Sequence, residues 1–349
     1  MKRLKTGVIG LGRMGQHHCR IYASQKESQL VGIYDVNPKV AEELSQRYDV
    51  PIFQNLDDLL DQVDAVSIAT PTPTHFDIAM RCLERKIHVL IEKPVTDKIN
   101  DAEQMARYIA GKDIIVQVGH IERFNPTYNE LKKVLESMKV IAINFRRLSP
   151  YRVSNKDVDV VLDLMVHDLD LSINLTGREP TAINASGLSS FSNSLDHVVA
   201  QLFYCDGPLI TLTASRVTEH KIRSVDVTAE DAYIEADFLN KSILINRSST
   251  GEYSAKNHNG VTYHQESISE RILVPNVEPL SMEIKHFLEC INQKSTPRVS
   301  IIDGMKALRL AQEVIMLVND QNHKYAYLPE YPIRKKKELN HAHPYSSDR

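Results

Sequence analysis

The sequence predicts an α/β protein in two parts: an N-terminal doubly wound parallel sheet, then an α+β domain with a large, mostly antiparallel open sheet. Three observations predict it. Up to residue 121, short apolar strands alternate with helices, the pattern of a parallel sheet covered on both faces. Beyond it the strands lengthen and alternate apolar with polar residues, as strands with one covered face do. The 349 residues also exceed what one core usually organises. The expected division is 1–121, 122–330 and a polar tail at 331–349.

Thr6–Ile9 reads as the first strand and runs into glycines, with Arg13–Ser24 the first helix. Leu30–Tyr34 is the second strand and ends on an acid. Pro38–Arg47 is a helix, with proline at its first turn, where the missing N–H is harmless. Ala65–Ala69, Phe76–Lys86, Ile87–Ile91, Ala102–Ala110 and Ile114–Val118 continue the alternation. A helix over Pro126–Met138 opens the second part. Strands follow at Val140–Leu148, Thr181–Leu188, His197–Tyr204, Leu209–Val217, Arg223–Ala229, Tyr233–Phe238 and Ser242–Asn246. A helix at Leu162–Leu175 interrupts them, and helices at Pro279–Asn292 and Asp303–Asn319 close the chain. Asn246–Ser269 has no firm period and reads as loop or edge strand.

Bulk properties narrow the function. A net charge of −3 gives no electrostatic case for nucleic acid, and the basic run Arg334 to Lys337 reads as a solvated tail. Cys19, Cys82, Cys205 and Cys290 lack the short spacings of a zinc knuckle or disulfide framework, so no metal is expected and the thiols read as reduced. The N-terminus enters a strand pattern at once, leaving no room for a signal peptide. No apolar run approaches the roughly 18 residues of a membrane span. A soluble, cytoplasmic protein is expected.

Gly10-Leu11-Gly12-Arg13-Met14-Gly15 lies between the first strand and the first helix. There glycines permit a tight turn and let backbone approach a pyrophosphate at the helix N-terminus. Asp35, ending the second strand, suits the adenosine ribose diol and repels a 2′-phosphate, which favours NAD; its other reading is a cap for the helix at Pro38, a role Asn37 fills better. Thr70 and His75 flank the expected cofactor at a strand's carboxyl end, or merely belong to a proline-stiffened turn. Glu92-Lys93-Pro94 ends another strand on that edge, and a lysine there needs a reason; a surface salt bridge is the alternative. Asp163 and His167 share one helical face by their spacing of four. A carboxylate on one imidazole nitrogen would leave the other as a base; a helix-surface ion cluster is the alternative. Arg123, Arg146, Arg147 and Arg152 flank the domain seam, where their forks suit phosphate oxygens, or each is an ordinary surface arginine.

Taken in order, the glycine turn, the Ala-Thr-Pro loop, Glu92-Lys93-Pro94 and the Asp163…His167 helix resemble the glucose–fructose oxidoreductase, inositol dehydrogenase and MocA-like family over nearly the whole chain. The resemblance implies an NAD-dependent dehydrogenase acting on a CH–OH group, with Lys93 and His167 meeting over the nicotinamide and Asp163 in support. It also implies a homodimer or homotetramer formed through the open C-terminal sheet. The glycines that many members carry before the catalytic helix are absent from Asp157-Val-Asp159. That segment and the Gly119–Pro126 stretch are similar to a narrower group, the UDP-N-acetylglucosamine 3-dehydrogenases. This implies oxidation of a nucleotide-sugar 3-hydroxyl, a downstream aminotransferase and a place in lipid A synthesis, with Lys93, His120, Arg123, Asn125, Arg147, Arg152, Asp163 and His167 toward the substrate. Gly10, Gly12, Arg13, Met14, Gly15, Asp35, Thr70, His75, Glu92 and Lys93 fall to the cofactor. The alternatives are an inositol or free-sugar dehydrogenase, and a non-catalytic NAD-binding regulator.

Overall fold

The computed structural model describes residues 3–151, 158–190, 194–253 and 262–325. The first sheet is parallel, with strand order β2-β1-β3-β4-β5 from Leu4–Ile9 (β1), Ser28–Tyr34 (β2), Ala65–Ile68 (β3), His88–Glu92 (β4) and Val116–Gly119 (β5). Beside β2, Ile52 forms a lone parallel bridge to Ile33. That stub completes the 3-2-1-4-5-6 strand order of dinucleotide-binding sheets, in which ligands lie beyond the carboxyl ends of the strands.

Helices cover both faces. Arg13–Ser24 (α1) and Pro38–Tyr48 (α2) lie over one face. A short helix at Leu56–Leu60 (α3), which the sequence pattern did not reveal, joins His75–Glu84 (α4) and Ile99–Ile109 (α5) on the other. Asn37 caps α2 by accepting from the Lys39 N–H.

Pro126–Leu135 (α6) leads into the second sheet, of eight strands in the order β13-β12-β11-β10-β6-β9-β8-β7. These are Val140–Leu148 (β6), Ala182–Leu188 (β7), His197–Phe203 (β8), Leu209–Ser215 (β9), Ile222–Ala229 (β10), Tyr233–Asp237 (β11), Ser242–Tyr253 (β12) and Thr262–Ile272 (β13). Only β6 and β9 pair in parallel. Within the polar stretch without a period, the described residues belong to the antiparallel pair β12 and β13, with β13 at the sheet edge. One face packs on Val166–Thr176 (α7) and Ile301–Tyr325 (α9) through Val198, Leu212, Val227, Leu169 and Val314.

The domain boundary needs correction. Pro279–Gln293 (α8) returns to the first sheet, its Leu280, Ile284 and Phe287 sharing a core with Val8, Tyr22 and Leu90. The start of α9 follows it, with Ile301 and Leu308 in the core beneath β3 and β4. The Val118 N–H donates to the Val299 carbonyl at 3.0 Å. The nucleotide-binding part is therefore 3–120 plus the segment from α8 into α9, and α9 runs on into the second core. Local periodicity marks each helix but carries no signal of which sheet it joins.

Candidate active site

The glycine turn is shaped by contact on one side and open space on the other. Gly10 has φ +87°, and a Cβ there would lie 2.7 Å from the Ala69 and Thr70 backbone. A Cβ on Gly15 would lie 1.8 Å from the Gly10 carbonyl oxygen. At Gly12, the N-cap of α1, a Cβ would meet nothing within 4 Å. No side chain caps α1 and no acid occupies its first turn, so its free N–H groups suit a diphosphate. A cavity of about 730 Å³ opens here, lined by Gly10, Gly12, Asp35, Val36 and Thr70 among others. The Asp35 carboxylate accepts from the Leu11 N–H at 2.5 Å and the Asn37 N–H at 2.7 Å; it steadies the turn while Asn37 does the capping. These residues fit an NAD cofactor, held by the turn, the α1 N-terminus and Asp35.

The half-buried Met14 side chain packs against the core beneath α1, while its backbone N–H stays among the free groups at the helix N-terminus. Two other side chains expected at the cofactor have internal partners. His75 is buried, its ring nitrogens 3.0 Å from the Pro94 carbonyl and 2.9 Å from the Thr70 carbonyl; burial lowers its pKa, so the neutral ring donates to one of the two. Glu92 faces inward and accepts from His18 Nε2 at 2.9 Å. Arg13 remains exposed at the start of α1.

Lys93 follows β4, at the carboxyl end of that strand, and is joined by a cis bond to Pro94. Its Nζ donates to the Asp163 carbonyl at 2.6 Å and lies 3.7 Å from the Asp163 carboxylate. Burial lowers its pKa, while Asp163 and Glu92 work in the opposite direction. Asp163 stands in a π-helical turn, Val161–Met165, that precedes α7. The i→i+5 pattern widens the turn and turns Asp163 toward Lys93. The expected carboxylate–imidazole bond is therefore absent: His167 Nδ1 is buried without a hydrogen-bond partner. Burial, then Lys93 and Arg147, hold the His167 pKa well below its ordinary value, so the ring is neutral. His120 packs edge-on to it, ring centres 6.4 Å apart; burial and then Arg123 push its pKa down to about 3.

Arg147 is buried and bidentate to Asp168 at 2.9 and 2.7 Å, with a third bond to Glu122 at 2.8 Å. Arg123 is buried against Asp170 at 2.9 Å and Asp303 at 3.3 Å. The Asn125 side chain caps α6 and donates to Glu122. All three are tied to internal partners at the seam, where the sequence reading had them facing a substrate. Arg146 lies exposed on β6, alternating with inward-facing Phe145 and Arg147, and so faces away from the seam. Arg152 lies outside the described residues. The cation that sequence reasoning missed is Arg223 on β10. It is one-third exposed, its one ion pair among the described residues being Glu122 at 3.3 Å, and its charge bears on Lys93, His167 and Arg13. Its place at a strand start was visible; its neighbours were not.

A dinucleotide cradle at the strand ends, with a half-buried lysine following β4 and a neutral histidine on α7, defines a nicotinamide-dependent oxidoreductase. Comparison with known proteins gives the family. Residues 4–120 match the model of an oxidoreductase family with an NAD-binding Rossmann fold, and residues 140–235 match the GFO/IDH/MocA C-terminal domain. The chain belongs to the GFO/IDH/MocA family and is an NAD-dependent dehydrogenase. It is 32% identical over 318 residues to the UDP-N-acetylglucosamine 3-dehydrogenase of Acidithiobacillus ferrooxidans, covering 91% of this chain and 98% of that one. A solved structure of an enzyme of that name from the same organism superposes with a TM-score of 0.82, covering 92% and 99% of the two chains at 32% identity. The myo-inositol 2-dehydrogenase of Thermotoga maritima is 25% identical over 327 residues, or 88% of this chain and 94% of that one.

Proposed function

We propose that this dehydrogenase oxidises the 3-hydroxyl of UDP-N-acetylglucosamine. The observation that carries the reading is the near-full-length similarity to an enzyme of that name. The charges at the site support it: Arg13 has no carboxylate partner among the described residues and Arg223 only a long one, so both suit a diphosphate beside Lys93 and His167.

His167, neutral at working pH, takes the proton from the sugar hydroxyl. Lys93, steered by the Asp163 carbonyl, donates to the same oxygen and stabilises the charge that develops there. NAD, when bound, supplies the hydride acceptor. His120 backs His167 without bonding to it. Self-association falls to the outer face of the eight-stranded sheet, where Phe203, Leu209 and Tyr233 are exposed.

A second reading, inositol oxidation, is favoured by one observation: Arg123 and Arg147, the cations expected for a diphosphate, are committed internally. Steady-state NADH formation with UDP-N-acetylglucosamine, free N-acetylglucosamine and myo-inositol separates the two. Nucleotide-sugar turnover far above the free sugar is expected, because remote binding energy is spent on positioning the reacting carbon. Inositol turnover alone would establish the second reading.

A further inference from the structure

Behind Lys93, on the face of the parallel sheet covered by α1 and α8, lies a chain of polar side chains that the reaction as described leaves unused. The Tyr22 and Ser67 hydroxyl oxygens are 2.9 Å apart. Ser67 Oγ is 2.8 Å from His18 Nδ1, and His18 Nε2 is 2.9 Å from Glu92 Oε1. Tyr22, Ser67 and His18 are fully buried. An ionised carboxylate only accepts, so Nε2 carries the proton facing Glu92. Ser67 Oγ bridges the other ring nitrogen and the Tyr22 hydroxyl, so the chain holds the ring from behind while Nε2 faces Glu92.

A second carboxyl completes the chamber. Glu283 on α8 is fully buried, and neither of its carboxyl oxygens has a hydrogen-bond partner. Burial and then the charge of Glu92 push its pKa well above the ordinary value. Burial acts to raise Glu92 too, but the hydrogen bond from His18, then the charges of His18 and Lys93, outweigh it and hold Glu92 below its ordinary value. Neighbouring carboxylates oppose each other's ionisation, and the bond from His18 favours the charge on Glu92.

We infer that His18 is a positioning residue for the catalytic lysine: the Tyr22–Ser67–His18 chain fixes Glu92 as an oriented carboxylate behind Lys93, and so keeps the ammonium charged. This rests on the reading of Lys93 as the donor to the substrate oxygen. Lys93 is faced by Asp163 from the π-turn, Glu92 from its own strand, Arg147 from β6 and Arg223 from β10, with His120 and His167 alongside. Glu92 is faced by His18 from α1, Glu283 from α8, His75 from α4 and His120 after β5. Burial and the arginines favour a neutral amine; Asp163 and Glu92 favour the cation. When the His18 bond goes, Glu92 takes up a proton more readily and the amine loses one of its two supports.

The test reads Lys93 without any substrate. Competitive acetylation of the full-length protein, quantified on the Lys93 peptide by mass spectrometry across pH, gives the titration midpoint of that lysine. His18→Asn, too short to reach Glu92, should lower the midpoint by about one pH unit. Ser67→Ala, which removes only the upstream bond, should lower it less, and serves if His18→Asn does not fold. Glu283→Gln, which mimics the neutral acid, should leave it in place. An unmoved midpoint in both His18→Asn and Ser67→Ala overturns the inference, as does a shift in Glu283→Gln equal to that in His18→Asn. Because no sugar is present, failure here is separate from failure of the substrate assignment. In turnover, the basic limb of kcat/KM should move to lower pH in His18→Asn, since a lowered Lys93 pKa loses the charged donor sooner.

Discussion

The cofactor side of the site and the seam beside the reacting groups are built from different materials. The cofactor side uses backbone: glycines at Gly10, Gly12 and Gly15, the open N-terminus of α1 and a single acid, Asp35. The seam uses buried charge: Arg147 with Asp168 and Glu122, Arg123 with Asp170 and Asp303, and Lys93 with Asp163. Backbone recognition is local in sequence and tolerates solvent. Buried charge is long-range, and once formed it is costly to half-remove. The same residue type therefore means different things on the two sides. Arg13 is exposed and available, whereas Arg147, equally charged, is a structural tie.

The seam should break most severely. Arg147→Met leaves Asp168 buried without its cation and Glu122 with Arg223 alone, and should cost about 3–5 kcal/mol of stability, read by denaturant unfolding. A loss below 1 kcal/mol with a raised KM would return Arg147 to the substrate. Next, Lys93→Met and His167→Ala should each reduce turnover by on the order of 10²-fold or more, less than additively when combined. Fluorescence titration should show NAD binding nearly intact in His167→Ala.

The third prediction concerns stability. A folded carboxyl held protonated, as in Glu283, lends its full support below the unfolded carboxyl range and loses it as pH rises. Glu283→Gln should abolish that slope and raise stability at neutral pH. Thermal unfolding at several pH values measures it, and a destabilised variant would mean that the acid has a partner it needs. The smallest effect belongs to the cofactor side. Asp35→Ala should weaken NAD by about tenfold, the loss of one hydrogen bond to a charged group, and narrow its advantage over NADP in parallel titrations.

Legibility in sequence followed the same divide. The glycine turn and the strand and helix ends that carry Asp35, Lys93 and His167 are legible because each is set locally. The Rossmann strands were visible as apolar runs, and the second sheet as alternation. The partners of Arg123 and Arg147 were not, since Asp170, Asp303 and Asp168 lie far along the chain. Asp163 was placed on His167 by regular helix spacing, and one widened turn sent it to Lys93 instead. Glu283 and His18 read as ordinary helix residues; only the packing of α8 on α1 and β4 brings them to Glu92.

The central claim is that hydride leaves the sugar carbon bearing the 3-hydroxyl, beside Lys93 and His167. UDP-N-acetylglucosamine deuterated at that carbon, incubated with NAD and enough aminotransferase to trap the ketone, tests it directly. Mass spectrometry of the reduced cofactor should show the deuterium transferred in the wild type, with the label lost to background in Lys93→Met. Reduced cofactor without deuterium, formed at the wild-type rate, would place the oxidised carbon elsewhere and contradict the assignment.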